Sequence, residues 1–159
     1  MDSDVLDLET RATVDDHRAL RLWLRLLTCS QLIEREVRRR LRERFATTLP
    51  RFDLLSQLER NPRGLKMGEL SRLMMVTGGN VTGIVDQLVK EGLVERVDDA
   101  ADRRAWRVRL TRAGQKTFGE MAREHEAWVV DLLGGLTRKE SEALMQLLAR
   151  LKTVTLEKT

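Results

Sequence analysis

The sequence predicts a mainly α-helical protein with a small β-hairpin, arranged as a winged helix-turn-helix with long N- and C-terminal dimerisation helices. Three observations support this fold class. Amphipathic helical patterns fill residues 15–46 and 112–157, two short helices joined by a tight turn are predicted between them, and a basic hairpin pattern follows the short helices. We therefore expect residues 1–159 to form a single domain, in which a winged lobe, residues 48–111, lies between the two helical regions.

The first helix is predicted from about Asp15 to Phe45. Apolar residues recur every four positions along one face, at Ile33, Val37, Leu41 and Phe45, and arginine and glutamate crowd the opposite face. At ~1.5 Å per residue such a helix is about 45 Å long, which exceeds what the core of a small domain requires. Part of its apolar stripe is therefore expected to pack against another chain.

Three shorter helices are predicted next. The second helix has Pro50 in its first turn, where the missing N–H does no harm, and ends at Asn61-Pro62. The segment "KMGELSRLMMV" forms the third helix. The fourth has Thr77 as its expected N-cap and Gly92 as its stop. Its expected buried stripe consists of Val81, Ile84, Val85, Leu88 and Val89.

A β-hairpin is predicted after the fourth helix. In "WRVRL" the apolar residues Trp106, Val108 and Leu110 alternate with arginines, a period of two that is typical of a strand with one face on a core. The upstream "GLVERV" is a second short, β-branched stretch. The polar segment "DDAADRRA" between them predicts a turn, so the hairpin tip carries residues 102–104, Asp-Arg-Arg.

Two further helices complete the chain. Thr111 is the expected cap of the fifth helix, which Gly134-Gly135 ends, and Thr137 with Glu140 forms a capping-box pattern at the start of the sixth. Both helices have an apolar side. Together with the first helix they are expected to build a homodimer.

The charge of the chain is unevenly distributed. The net charge is +4, but residues 1–16 contain six acidic residues and one arginine, so the remaining chain has 28 basic and 19 acidic residues. A basic body with an acidic tail is consistent with nucleic-acid binding.

Composition and spacing argue against several other classes of protein. Cys29 is the single cysteine, which excludes an internal disulfide, and with only His17 and His125 a zinc site is not expected. We find no nucleophile–base pair, paired-carboxylate cleft or phosphate-binding glycine loop, so neither enzymatic activity nor a cofactor is predicted. No apolar run reaches the roughly 18 residues that span a bilayer, and the acidic start is not a targeting signal. We therefore expect a cytoplasmic protein with no membrane partner.

A helix-turn-helix followed by a basic hairpin suits double-stranded DNA. The recognition helix fits the major groove, and an arginine at the hairpin tip can enter the minor groove, where negative potential is concentrated. An RNA-binding winged helix is the alternative. The candidate DNA contacts are Lys66, Arg72, Thr77, Gly79, Asn80, Thr82, Gln87, Lys90, Asp102, Arg103 and Arg104.

The stretch from "ELSRLMMVTGGN" to "LTRAG" resembles the MarR family of bacterial transcriptional regulators. Its most specific part is "DRR" at 102–104 followed by "LTRAG" at 110–114, as in the family's D-R-R-…-L-T-x-x-G wing signature. The resemblance implies a homodimer, operator DNA, and an allosteric site for a small aromatic or anionic effector. It also implies that Asp102 braces the wing by pairing with a neighbouring arginine and that Arg104 reaches the minor groove. Many relatives have arginine where this chain has Gly83, so that phosphate contact is not expected here.

The segment "MMVTGGNVTG" further resembles a branch of the family that regulates the degradation of hydroxycinnamate and related aromatic acids by sensing an aromatic acyl-CoA thioester. This resemblance implies a repressor of genes for aromatic-compound catabolism or efflux, released from a pseudo-palindromic operator by its effector. The candidate effector contacts are on the first helix, at Trp23, Leu26 and Leu27, where surplus arginines such as Arg25 suit the phosphates of CoA.

A redox-sensing regulator that uses Cys29 is a second alternative, because one branch of the family senses peroxides through a cysteine on the first helix. That branch supports its thiolate with tyrosines, and this chain has none. We therefore expect Cys29 to be a small buried residue.

Overall fold

A computed structural model describes residues 17–75 and 80–159 of the chain. In chain order, the elements within these residues are α1 Arg18–Phe45, α2 Leu49–Glu59, α3 Met67–Leu73, α4 Val81–Lys90, β1 Val94–Asp98, β2 Trp106–Leu110, α5 Arg112–Leu133 and α6 Arg138–Leu156. This order confirms the predicted fold class, mainly helical with one antiparallel hairpin between the fourth and fifth helices. The predicted start of the first helix, at Asp15, lies outside the described residues.

Helix α1 is buried only near its C-terminal end. Val37 and Leu41 are buried in the core, whereas Leu20, Leu22 and Trp23 near the other end are all about half exposed or more. A single chain therefore leaves much of the apolar face of α1 in water. Among the described residues no helix is long and apolar enough to cross a membrane.

Helix α2 lies at the centre of the winged lobe. The hydroxyl of Thr48 caps it, and Pro50 occupies its first turn as predicted. The ring of Phe52 packs on Phe118 of α5 with centroids 5.5 Å apart. Because nearly every turn of α2 is enclosed, its leucines supply much of the fully buried core: Leu54, Leu55 and Leu58.

A buried carboxylate of α2 holds the chain that leaves α3. Asp53 accepts the backbone N–H of Met75 at 2.6 Å and the side-chain amide of Gln57 at 3.2 Å. Helix α3 ends at Leu73, and Met74 is already extended. The third helix is therefore shorter than the predicted segment, because the backbone beyond Leu73 turns to reach Asp53.

The two strands form the predicted hairpin. They pair antiparallel from Val94 opposite Leu110 to Asp98 opposite Trp106. Val94 and Leu110 are buried, as is Val108 between them, but Trp106 at the end of the strand is 36% exposed. The prediction that Trp106 faces the core with its neighbours is therefore wrong, since the strand extends past the edge of the core at that point.

Leu65, which precedes α3, forms an isolated antiparallel β-bridge with the second strand of this hairpin. Leu65 donates its N–H to the carbonyl of Val108 at 2.9 Å and accepts the N–H of Val108 at 2.8 Å. The preceding Gly64 has φ +84°, and a Cβ there would lie 2.7 Å from the carbonyl oxygen of Val108. Only glycine combines this conformation with such a close approach.

The hairpin joins α5 through another close approach. The hydroxyl of Thr111 donates to the carbonyl of Gly92 at 2.6 Å and accepts the N–H of Gly114 at 3.0 Å, which confirms Thr111 as the cap. Gly92 has φ +74° and follows α4, as predicted for its stop. A Cβ on Gly114 would overlap the carbonyl oxygen of Leu93.

The described residues fall into two compact units that divide after Arg123, within α5. In the second unit, Thr137 caps α6 by accepting the N–H of Glu140, whose carboxylate accepts the N–H of Thr137 at 2.8 Å. The hydroxyl of Thr137, which donates to the Glu140 carboxylate at 2.7 Å, and then the backbone N–H of Thr137 lower the pKa of Glu140. The arrangement confirms the predicted capping box. No residue of α6 is buried, although its large apolar side chains include Leu144, Met145, Leu147, Leu148, Leu151 and Val154.

We predict that Gly114→Ala destabilises the fold by about 3 kcal/mol, because the added methyl group must displace the backbone at Leu93. The free energy of unfolding in urea, measured on the parent and the variant, checks this prediction. Gly119→Ala is the matched control within the same helix, since a Cβ there meets nothing within 4 Å. We expect Gly119→Ala to stabilise by about 0.5–1 kcal/mol through the restricted unfolded chain. Equal effects of the two substitutions would contradict the close approach at Gly114.

Candidate nucleic-acid interface

The recognition helix α4 begins later than predicted. It runs from Val81, and Asn80 is its N-cap, with the side-chain oxygen accepting the N–H of Gly83 at 3.3 Å. The prediction that Thr77 caps this helix is therefore wrong. Thr77 and Gly79 themselves lie outside the described residues. Asn80 was predicted as a DNA contact, and the structure gives its carboxamide oxygen a capping role.

Some polar side chains on the exposed face of α4 have no partner in the described part of the chain, and others are held by neighbouring elements. Thr82 and Lys90 are exposed, and neither side chain has a partner in the described part of the chain. Gln87 is exposed too, but its side-chain oxygen accepts a hydrogen bond from Arg51 of α2. Asp86 forms an ion pair with Arg96 of β1. The face thus combines free groups with groups that are fixed by neighbouring elements.

The wing tip presents two unpaired arginines. The turn is closed by the N–H of Ala105, which donates to the carbonyl of Asp102 at 3.0 Å, and by the carboxylate of Asp102, which accepts the N–H of Arg104 at 2.9 Å. Arg103 and Arg104 are exposed, and their guanidinium groups have no partner among residues 17–75 and 80–159. Two exposed cations at a turn, with no counter-charge on them in the described ranges, suit contact with a polyanion.

Within the hairpin itself, Asp99 is the aspartate that pairs with an arginine, Arg107. Its carboxylate is 4% exposed and lies 3.0 Å from Nε of Arg107 and 3.3 Å from Nζ of Lys66. The other carboxylate oxygen accepts the N–H of Ala101 at 2.8 Å. This backbone hydrogen bond, followed by Lys66 and Arg107, lowers the pKa of Asp99. The implied pairing of Asp102 with an arginine is wrong, because the carboxylate of Asp102 is used to close the turn.

Arg107 connects the wing to the body of the lobe. Besides Asp99, its guanidinium donates to the carbonyl of Gly64 at 3.1 Å and lies 3.7 Å from Glu69 of α3. The ammonium of Lys66, a predicted phosphate contact, belongs to the same cluster. Arg72, the other predicted phosphate contact of this region, is exposed and has no partner in the described part of the chain.

A stacked pair on the wing was not predicted from the sequence. The guanidinium of Arg96 lies over the ring of Trp106, 4.8 Å from its centroid, while also pairing with Asp86 of α4. Arg96 and Trp106 are diagonal neighbours in the hairpin register. The period of two in the strands, combined with the register, could have indicated this contact.

The predicted effector residues are on the exposed part of α1. Trp23 is 56% exposed, and Leu26 and Leu27 are half-buried. A shallow groove close to them on the same helix is lined by Arg18, Arg21, Leu22 and Arg25. These side chains could meet an anionic or aromatic molecule.

Cys29 is exposed in the single chain, so the expectation of a buried cysteine is wrong here. Its place on the exposed stretch of α1 is the reason, since that stretch has little of the chain packed on it. No group of three or more histidine, cysteine, aspartate or glutamate residues within the described ranges could hold a metal ion.

We predict that Asp99→Asn lowers the urea midpoint of unfolding at pH 7. A carboxyl with a lowered folded-state pKa contributes stability above its ordinary pKa, and this contribution is lost as the pH falls through the folded value. The difference between parent and variant should therefore shrink below about pH 4. Asp98→Asn, at the exposed neighbouring residue, is the control and should have little effect at either pH. A deficit of Asp99→Asn that is independent of pH would contradict the charge pairing.

Known proteins share this architecture. Residues 47–105 match the sequence model of the MarR family. The chain is 30% identical over 118 residues to the uncharacterized HTH-type transcriptional regulator YsmB of Bacillus subtilis, covering 72% of this chain and 80% of that protein. It is 29% identical over 119 residues to the transcriptional activatory protein BadR of Rhodopseudomonas palustris, covering 73% and 67%. A solved MarR family transcriptional regulator from Silicibacter pomeroyi is 31% identical with a TM-score of 0.74, covering 92% of this chain and all of that chain.

Proposed function

We propose that this chain, which belongs to the MarR family of transcriptional regulators, is a ligand-responsive regulator released from a pseudo-palindromic operator by a small aromatic or anionic effector. Members of the family regulate transcription rather than catalyse reactions, bind DNA and act as dimers. The observation that carries the proposal is the two wing-tip arginines, which have no partner in the described part of the chain and accompany a capped recognition helix with a polar exposed face.

The proposed DNA interface has three parts. The N-terminal half of α4, with Asn80 and Thr82, meets base edges and phosphates in the major groove, while Gln87 and Lys90 extend this contact along the helix. Phosphate contacts come from Arg72, with Lys66 at the edge, and from the segment that contains Thr77 and Gly79. The wing provides the third part, residues 102–104, with Arg104 in the minor groove and Asp102 holding the turn in shape.

We predict that Arg104→Ala lowers affinity for operator and for unrelated duplex alike by about tenfold, equivalent to about 1.4 kcal/mol. The slope of log affinity against log salt should become shallower by about one, because one cation no longer displaces counterions. Fluorescence anisotropy titrations between about 50 and 200 mM salt check both quantities.

Arg138→Ala removes the same charge away from the proposed interface and is the control. Arg138 is an exposed arginine of α6 that pairs with Glu142, one helical turn away. This variant should bind DNA like the parent. If Arg104→Ala retained the parent's affinity and salt slope, the wing would have to be removed from the proposed interface.

We propose that the homodimer is built by α1, α5 and α6, the helical regions 15–46 and 112–157. Support comes from the apolar side chains that a single chain leaves exposed, above all on α6, none of whose residues is buried. Burial of such side chains releases roughly 25 cal/mol per Å² of apolar surface. The dimer would hold two recognition helices for half-sites about one helical turn apart.

We predict by light scattering a mass of twice the 18.4 kDa chain at micromolar concentration. Leu148→Glu should shift the mass toward one chain, because it places a charge on the apolar stripe of α6. Gln146→Glu introduces the same charge on the opposite side of the helix and should remain dimeric. A parent that scatters as a single chain would refute the dimer.

The proposed effector binds on the exposed part of α1, near Trp23, Leu26 and Leu27. An exposed indole provides a stacking surface, and the arginines of the adjacent groove, such as Arg25, suit a carboxylate or the phosphates of CoA. An aromatic acyl-CoA is the proposed effector class, and genes for aromatic-compound catabolism or efflux are the proposed targets. The direction of control is proposed as repression, while the relative BadR, named an activatory protein, makes activation the second candidate.

We predict that an effector and operator DNA weaken each other's binding by the same factor, about 5- to 150-fold, or ~1–3 kcal/mol. A thermal-shift screen of aromatic carboxylic acids and their CoA thioesters would identify the ligand, and calorimetry with and without operator would measure the coupling. Equal ligand affinity in both titrations would rule out release by the effector.

A further inference from the structure

The carboxamide of Gln87, on the exposed face of α4, is held by an arginine of α2. Gln87 is exposed on the second turn of this helix, and its Oε1 accepts a hydrogen bond from Nη1 of Arg51 at 3.3 Å. Among the described residues its amide nitrogen has no partner. One half of the side chain is therefore occupied and the other half is available.

The chemistry of arginine fixes which half is occupied. A guanidinium group only donates hydrogen bonds, so the atom that it contacts must be the carboxamide oxygen and not the nitrogen. Oxygen and nitrogen diverge from the same carbon atom. Holding the oxygen on Arg51 therefore turns the NH2 group of Gln87 away from α2.

The guanidinium of Arg51 is itself held at each nitrogen. Nε donates to the hydroxyl of Thr47 at 3.2 Å, Nη1 donates to Gln87, and Nη2 forms an ion pair with Glu91. The side chain of Arg51 is 18% exposed. An arginine with three contacts in a fixed planar fork has little freedom to rotate, so it is a rigid anchor for the amide.

We propose that Arg51 locks the carboxamide of Gln87 in one orientation, so that Gln87 presents the major groove with a donor and selects a keto base over an amino base. Arg51 is then a positioning residue and Gln87 the specificity-determining one. This inference rests on the proposed function, because it requires α4 to lie in the major groove of duplex DNA.

The base edges explain the selection. A glutamine that is free to rotate contacts adenine with both atoms, accepting from N6 and donating to N7. With its oxygen turned toward Arg51, Gln87 presents its NH2 group to the groove. That group can still donate to adenine N7, but it meets a second donor wherever adenine N6 or cytosine N4 lies opposite, and the two-atom contact with adenine is lost. Guanine O6 and thymine O4 are acceptors. The locked side chain therefore favours guanine or thymine at one position of each half-site.

The experiment selects binding sites from a duplex library with randomised half-sites, for the full-length parent and for variants. The parent should enrich guanine or thymine at one position. Gln87→Ala should lose this preference and keep the others. Arg51→Met, which has a similar length and no donor, should admit adenine at that position because the amide is free to turn. Gln146→Ala, the same substitution at an exposed glutamine of α6 outside the proposed DNA interface, is the control and should leave the preference intact.

Chemical substitution of the DNA tests the same contact without changing the protein. Replacing guanine at that position by 2,6-diaminopurine opposite thymine, or thymine by 5-methylcytosine opposite guanine, exchanges the keto acceptor for an amino donor. The parent's affinity should fall by about fivefold or more per half-site, and that of Gln87→Ala should change little. Circular dichroism would show whether Arg51→Met folds. If it does not, the base substitutions still test whether Gln87 presents a donor.

The possible failures are separable. A parent that binds no sequence more tightly than unrelated duplex would refute the proposed function itself. A parent that binds specifically but enriches adenine at the position lost in Gln87→Ala would overturn the locked amide. An unchanged preference in Arg51→Met would overturn the role of Arg51.

Discussion

The attachment of the wing depends on one buried carboxylate. Asp99 receives Arg107 and Lys66 on one oxygen and the N–H of Ala101 on the other, so a single residue joins the hairpin tip, its second strand and the start of α3. The backbone bridge between Leu65 and Val108 runs beside this cluster. Since a two-stranded hairpin alone is marginally stable in water, these contacts make the wing part of the lobe rather than a free loop.

The recognition helix is fixed by arginines at the flanks of its exposed face. Arg51 approaches from α2 and holds Gln87 and Glu91, while Arg96 approaches from β1 and holds Asp86. The first connects α4 to the core helix of the lobe, and the second connects it to the wing. Helix and wing are thereby joined to each other and to the core helix, so the two parts of the proposed DNA interface keep a fixed relative position.

Local signals in the sequence identified most of the elements but not every contact. The caps at Thr48, Thr111 and Thr137 and the hairpin register follow from residues close together in the chain. Threonine and asparagine are both good caps, so residue type alone did not identify Asn80 as the residue that caps α4. The pairing of Arg107 with Asp99, rather than with another aspartate of the wing, depends on long-range contacts. Arg107 also contacts Gly64, 43 residues away in the chain, and Glu69 of α3, and no local sequence pattern contains these contacts.

The density of arginine around the wing has two physical causes. Among the five arginines between residues 98 and 114, Arg107 pairs with Asp99 and Arg109 with Glu95 directly across the hairpin. Their charges are compensated inside the protein and serve its stability. Arg103, Arg104 and Arg112 have no such partner within the described residues, and the first two lie side by side at the tip. Uncompensated positive potential is therefore concentrated at the tip, and the paired arginines fix its position. The basic stretch, which the sequence predicts to be one DNA-binding feature, is thus a rigid support with a short, uncompensated basic tip.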